Sequence, residues 1–118
     1  MPTHRSSTIR MRTVLLREAN EILEQEYASD ISLDELARRL ASSRRQLQRA
    51  YAEIGRSSYR AHLTAVRMRK AAELLAGGRL TVREVARQVG YRQPAQFAKA
   101  FRRHHGVAPS DFRLAART

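Results

Sequence analysis

The 118-residue chain carries 23 Lys plus Arg against 11 Asp plus Glu, for a formal net charge of +12, and all the basic residues except Lys70 and Lys99 are arginines. It has no cysteine, which excludes a disulfide scaffold, a thiolate metal site and a cysteine nucleophile. No apolar run approaches the ~18 residues that span a bilayer, no signal-peptide core follows Met1, and 42% hydrophobic content is enough for a core, so a small, cytoplasmic, strongly basic domain with a polyanionic partner is expected.

Residues 1–11 mix Ser, Thr and basic residues without apolar periodicity and read as a flexible basic arm. Beyond them apolar residues recur at three and four rather than at two, which predicts an all-α chain. A first helix is expected over residues 11–27, with Leu15, Ala19, Ile22 and Leu23 on one face. Charge is uneven: residues 1–35 hold four arginines and seven carboxylates, net −3, leaving +15 on residues 36–118.

From Ser32 one pattern occurs twice. Ser32 with Glu35, and Thr81 with Glu84, have capping-box spacing, in which hydroxyl and carboxylate each satisfy an orphan backbone N–H. Leu33, Leu36, Ala37 and Leu40 line the first helix; Val82, Val85, Ala86 and Val89 line its counterpart, each 49 residues on. Short connections at Ala41-Ser42-Ser43 and Gly90-Tyr91 lead to second helices that bury Leu47, Ala50 and Tyr51, or Phe97 and Phe101, and stop at Gly55 or Gly106. Shared caps, small residues and stops in one order indicate a duplicated unit. Two short helices joined by a tight turn, with Ala37 or Ala86 where they cross, describe a helix-turn-helix. Gly90 supplies a positive φ at its turn, and Ala41 stands in that place in the first copy.

Between the copies, Ser58 as N-cap and Gly77-Gly78 as stop bound a connecting helix over residues 58–76. At ~1.5 Å per residue it spans roughly 28 Å, against ~34 Å between successive major grooves on one face of B-DNA. The resulting division is an arm (1–11), a first subdomain (12–57), the connecting helix (58–76) and a second subdomain (77–118).

The tandem units, the run Arg67-Met68-Arg69-Lys70-Ala71-Ala72-Glu73-Leu74-Leu75, the segments Val85–Tyr91 and Phe97–Phe101, and the ending Gly106-Val107-Ala108-Pro109-Ser110-Asp111-Phe112-Arg113 together resemble the DNA-binding domain of AraC/XylS-type bacterial transcription regulators. The resemblance runs from about residue 12 to residue 113. It implies seven helices in two helix-turn-helix subdomains joined by a long central helix. It also implies a sequence-specific regulator of double-stranded DNA, either of the stand-alone type that binds as a monomer or the C-terminal domain of a longer regulator.

On the first recognition helix Leu47 and Tyr51 fix the buried side, which leaves Arg44, Arg45, Gln48 and Arg49 to face a groove. Arginine pairs bidentately with guanine O6/N7 and glutamine with adenine N6/N7. By resemblance, Arg45, Gln48 and Arg49 fall where family members place base-contacting side chains. The second recognition helix begins near Pro94 with Gln93 at the cap, and offers Gln96, Lys99 and, for apolar contact with a thymine methyl, Ala95. Phosphate contacts are expected from Arg38, Arg39, Arg56, Arg83, Arg92, Arg102 and Arg103, with backbone N–H groups at Ser32, Ser58 and Thr81 as further donors.

An enzyme is disfavoured: no HExxH, nucleophile elbow or phosphate-cradling glycine loop occurs, and neither metal nor cofactor is expected. The alternative is a non-specific basic helical protein that binds RNA or the nucleoid, although RNA readers usually expose aromatics for stacking. The acidic first helix is a candidate surface for RNA polymerase, as in family activators; an acidic face turned away from DNA is the simpler reading.

Overall fold

The computed structural model describes residues 2–117, with side chains from Ser7 to Arg117. Among these residues there is no strand, and seven helices follow in order: α1 (Pro2–Glu26), α2 (Leu33–Arg39), α3 (Arg44–Glu53), α4 (Tyr59–Gly77), α5 (Val82–Gln88), α6 (Pro94–His105) and α7 (Pro109–Arg117). They divide into two units, one comprising residues up to Glu26 with Asp30–His62, the other Tyr27–Ser29 with residues from Leu63 onward.

In the first unit, Ala19 of α1, Ile31, Leu36 and Ala37 of α2, and Leu47 and Tyr51 of α3 form the buried core. Helix α1 begins at Pro2 rather than near Met11, so the segment expected as an arm forms its first turns. Pro2 suits a first helical position and no glycine or further proline occurs before Gly55. Apolar periodicity does not mark these turns: of their described side chains, Ile9 and Met11 are 45% and 57% exposed. Arg12 anchors this part of α1 by an ion pair to Glu53.

Both helix-turn-helix copies start and turn in nearly the same way. Ser32 Oγ accepts from the Glu35 N–H at 3.0 Å, and Thr81 Oγ1 accepts from the Glu84 N–H at 3.0 Å. Only the second copy completes the expected box, with the Thr81 N–H donating to Glu84 Oε1 at 2.8 Å. In the first copy the Glu35 carboxylate is held by Arg38 instead. The turns match bond for bond. The Ala41 and Ser42 N–H groups donate to the Arg38 and Ala37 carbonyls (3.1 and 2.8 Å), and those of Gly90 and Tyr91 to Arg87 and Ala86 (3.1 and 2.9 Å). Each is a Schellman closure around one left-handed residue.

That residue is Gly90 (φ 100°) in one copy and Ala41 (φ 54°) in the other. An alanine held there carries on the order of 1 kcal/mol of strain. Replacing Ala41→Gly should therefore raise unfolding free energy by up to about 0.5 kcal/mol after the entropy cost of glycine is subtracted. A denaturant titration that showed a loss of about 0.5–1 kcal/mol would mean that the turn is unstrained.

Helix α3 ends at Glu53, close to the expected stop at Gly55, and the left-handed residue after it is Arg56 (φ 50°). The Ser57 N–H closes this end on the Tyr51 carbonyl at 2.9 Å. Gly55 serves closeness instead: a Cβ there would lie 3.1 Å from the Tyr51 carbonyl oxygen and 3.5 Å from Leu16 Cδ1 of α1.

In the second unit Met68, Ala71 and Leu75 of α4 pack with Val85, Ala86, Val89, Phe97 and Phe101. Ser58 caps α4, its Oγ accepting from the Ala61 N–H at 3.1 Å. Gln93 occupies the N-cap of α6 but makes no side-chain capping bond; Pro94, which has no N–H to satisfy, follows it. The C-terminal ending is structural. Phe112 packs edge-on against Phe101 at 5.4 Å, and Arg113 donates from Nε to the Leu75 carbonyl at 3.3 Å and from its terminal nitrogen to that of Leu80. These bonds satisfy backbone acceptors at and beyond the end of α4, where no helical N–H is available.

Candidate nucleic-acid interface

The Schellman turn after α2 delivers the chain to Ser43, whose Oγ accepts from the Gln46 N–H at 3.1 Å and starts α3. Burial of Leu47, Ala50 and Tyr51 then fixes the rotation of α3 and turns Arg44, Arg45, Gln48 and Arg49 to solvent. Arg45 and Arg49 lie one turn apart on that exposed side, and among the described residues no ion pair holds either of them. Arg44 is drawn to Asp34 of α2 at 3.3 Å, and Gln46 receives a bond from Ser42 Oγ at 3.0 Å.

In the second unit, buried Phe97 and Phe101 leave Ala95, Gln96, Lys99, Arg102 and Arg103 of α6 exposed, while Ala98 is half-buried. Arg38, Arg56, Arg83 and Arg92 are exposed as well. Two phosphate candidates are ion-paired: Glu35 holds Arg38, and Glu26 takes both terminal nitrogens of Arg39, one at 2.8 Å. That bond holds the Glu26 carboxyl below the usual carboxylate range and raises the Arg39 guanidinium. The Thr81 backbone N–H, then its hydroxyl, lowers Glu84 in the same way, so both glutamates are ionised at neutral pH.

Three polar groups that the sequence did not single out are internal fasteners. Arg67 Nε donates to the Tyr27 carbonyl at 2.7 Å and its terminal nitrogen to that of Ser29 at 3.2 Å, which attaches residues 27–29 to the second unit. His62 bridges the Tyr51 hydroxyl (Nδ1, 2.8 Å) and Asn20 Oδ1 (Nε2, 2.9 Å). His105 Nε2 reaches the Met68 carbonyl at 3.0 Å while its ring lies 4.4 Å from that of Phe101. Each acts over a sequence separation that local pattern does not encode. Burial pushes the Tyr51 hydroxyl well above its ordinary range, with Tyr59 adding to it; burial also raises Tyr91, with Arg67 opposing.

Of the seven aromatic residues, Tyr51, Phe97 and Phe101 are buried and Tyr27, Tyr59, Tyr91 and Phe112 are half-buried. Among the described residues no group of three or more His, Asp or Glu side chains could hold a metal ion, and no helix is long and apolar enough to cross a membrane.

Two helix-turn-helix units, each ending in an amphipathic helix with a buried apolar side and a polar, cation-rich outer side, define a DNA-binding class of fold. Residues 36–115 match the helix-turn-helix domain family, and the chain belongs to that family, in its AraC-type branch. A probable AraC family transcriptional regulator from Rhodopseudomonas palustris superimposes with a TM-score of 0.79 at 26% identity, over 88% of this chain and 98% of that one. The DNA-binding domain of AdpA, a global transcriptional factor, in complex with a target DNA gives a TM-score of 0.79 at 29% identity over 86% and 92% of the two chains. In sequence, the Msm operon regulatory protein of Streptococcus mutans is 28% identical over 83% of this chain, which spans 35% of that relative's length.

Proposed function

We propose that this chain binds duplex DNA sequence-specifically as the DNA-reading part of a bacterial transcription regulator, with α3 and α6 entering successive major grooves. The observation that carries the reading is the outer side of α3, where Arg45, Gln48 and Arg49 are exposed and neither arginine is ion-paired within the described chain. The AdpA domain, whose structure contains its target DNA, supports duplex DNA as the partner. On this reading Arg45, Gln48 and Arg49, with Arg44, contact bases from α3, and Gln96, Lys99 and Ala95 do so from α6. Arg38, Arg56, Arg83, Arg92, Arg102 and Arg103 neutralise phosphates, Arg38 after leaving Glu35; Arg39 does so only after leaving Glu26. The chain acts as a monomer, with the acidic part of α1 turned away from the DNA, where an activator would offer it to RNA polymerase.

Selection of bound sequences from random duplex DNA tests this. An asymmetric site about two helical turns long is expected. A palindrome would replace the monomer by a dimer. A failure to enrich any sequence, with RNA bound as well as DNA, would overturn the reading in favour of a non-specific basic protein. On the enriched site, Arg49→Ala should cost roughly 1–3 kcal/mol and relax preference at one base position, whereas Arg103→Ala should weaken all sequences about equally. Identical profiles for the two variants across a panel of single-base changes would sink the division of roles.

A further inference from the structure

A groove of about 730 Å³ runs in the first unit between α1 and the turn that leads into α3. Arg45 and Arg49 line it from α3, and Arg10 joins them from α1. Arg12 also borders it, with its charge matched by Glu53. Among the described residues no ion pair holds Arg10. The one carboxylate at the groove, Glu18, stands eight residues along the helix from Arg10, about 12 Å away. Met11 and Val14 contribute an apolar floor and are 57% and 41% exposed.

Helix α1 is divided in charge. Residues 1–17 hold four arginines and no acid, whereas residues 18–26 hold four glutamates and no base. Arg10 and Arg12 of its basic half border the same open groove as the arginines of α3. A duplex backbone has the chemistry for such a groove, with anionic oxygens for Arg10 beside the base-reading Arg45 and Arg49 and deoxyribose carbons for the apolar floor.

We infer that the groove between α1 and α3 takes the phosphodiester backbone that flanks the bases α3 reads, with Arg10 as the phosphate-contacting residue. Helix α1 then belongs to the interface through Arg10, and the glutamates beyond Glu18 lie outside the groove. This rests on the reading of α3 as a base-reading helix, and the test separates the two. The absence of cysteine makes Arg10→Cys a unique attachment point for a hydroxyl-radical-generating iron chelate. On the sequence enriched by the unmodified protein, the reagent at position 10 should cut the backbone beside the α3 half-site, and the same reagent at Glu21→Cys should not. Arg10→Ala should weaken binding about fivefold at ~0.15 M salt, lower the salt slope by about 0.9 and leave base preference unchanged. A far-ultraviolet circular dichroism spectrum that matches the parent shows that the variant is folded. If a site is still enriched but position 10 cuts nothing and Arg10→Ala binds as the parent does, the inference is overturned and the groove is left to a protein occupant. If no site is enriched at all, the reading of α3 has failed instead.

Discussion

Raising monovalent salt from about 50 to about 200 mM should weaken duplex DNA binding by roughly three orders of magnitude. The size follows from the number of arginines assigned to phosphates. Six are exposed, namely Arg38, Arg56, Arg83, Arg92, Arg102 and Arg103; Arg38 leaves Glu35 to do so, and Arg39 is set aside because Glu26 engages both its terminal nitrogens. Six neutralised phosphates release six condensed counterions, which gives a slope of log K against log salt of about −5. Net charge alone does not produce such a slope, because exposed charges more than ~8–10 Å from the DNA are screened at these ionic strengths. The dissociation constant measured on one enriched sequence at five salt concentrations gives the slope directly. A value shallower than about −2 would place most of the +12 charge outside the interface.

Substitution of Gly90→Ala should destabilise the second unit by about 3 kcal/mol and lower its melting temperature by roughly 12–24 °C. Two costs combine. Gly90 sits at φ 100°, where an L side chain is strained. A Cβ there would also lie 2.9 Å from Arg67 Cζ and 3.0 Å from the Ala28 carbonyl oxygen. Arg67 has little freedom to retreat, because its guanidinium is bonded to the Tyr27 and Ser29 carbonyls. Two other glycines calibrate the effect. Gly106→Ala meets nothing within 4 Å but sits at φ 84°, so it should cost only the backbone strain, ~1 kcal/mol. Gly77→Ala meets nothing within 4 Å, lacks a positive φ, and should be near neutral. Thermal melts of the three variants should rank Gly90, Gly106, Gly77 in decreasing loss, and a Gly90 variant that melts with the Gly77 one would remove the packing argument.

Those glycines also show where sequence reading succeeds. A positive φ at Gly90 and a stop at Gly106 were legible because glycine followed a run of helical periodicity in each case. The same logic placed the turn at Ala41 only through its offset of 49 from Gly90, since alanine by itself signals nothing. It did not single out the left-handed Arg56 after α3, because arginine carries no turn signal. It read the start of α1 as an arm because Ile9 and Met11 are exposed, and periodicity detects helices only through burial.

The site divides along the same line. Which residues of α3 and α6 face outward follows from the buried Leu47, Tyr51, Phe97 and Phe101 by helical geometry alone, so the outward positions of Arg45, Gln48, Arg49, Gln96 and Lys99 were readable from spacing. Which of the many arginines are already engaged was not. Glu26 takes Arg39 across 13 residues, Tyr27 and Ser29 take Arg67 across 40 and 38, and Leu75 takes Arg113 across 38. In this sequence an arginine that fastens the core and one that waits for a phosphate are the same letter. The sequence by itself determined an all-helical, duplicated, strongly basic chain, because helix periodicity, caps and turn glycines act within a few residues. Only the tertiary structure decided which guanidinium groups stay available, because that depends on carboxylates and carbonyls brought near by packing between helices.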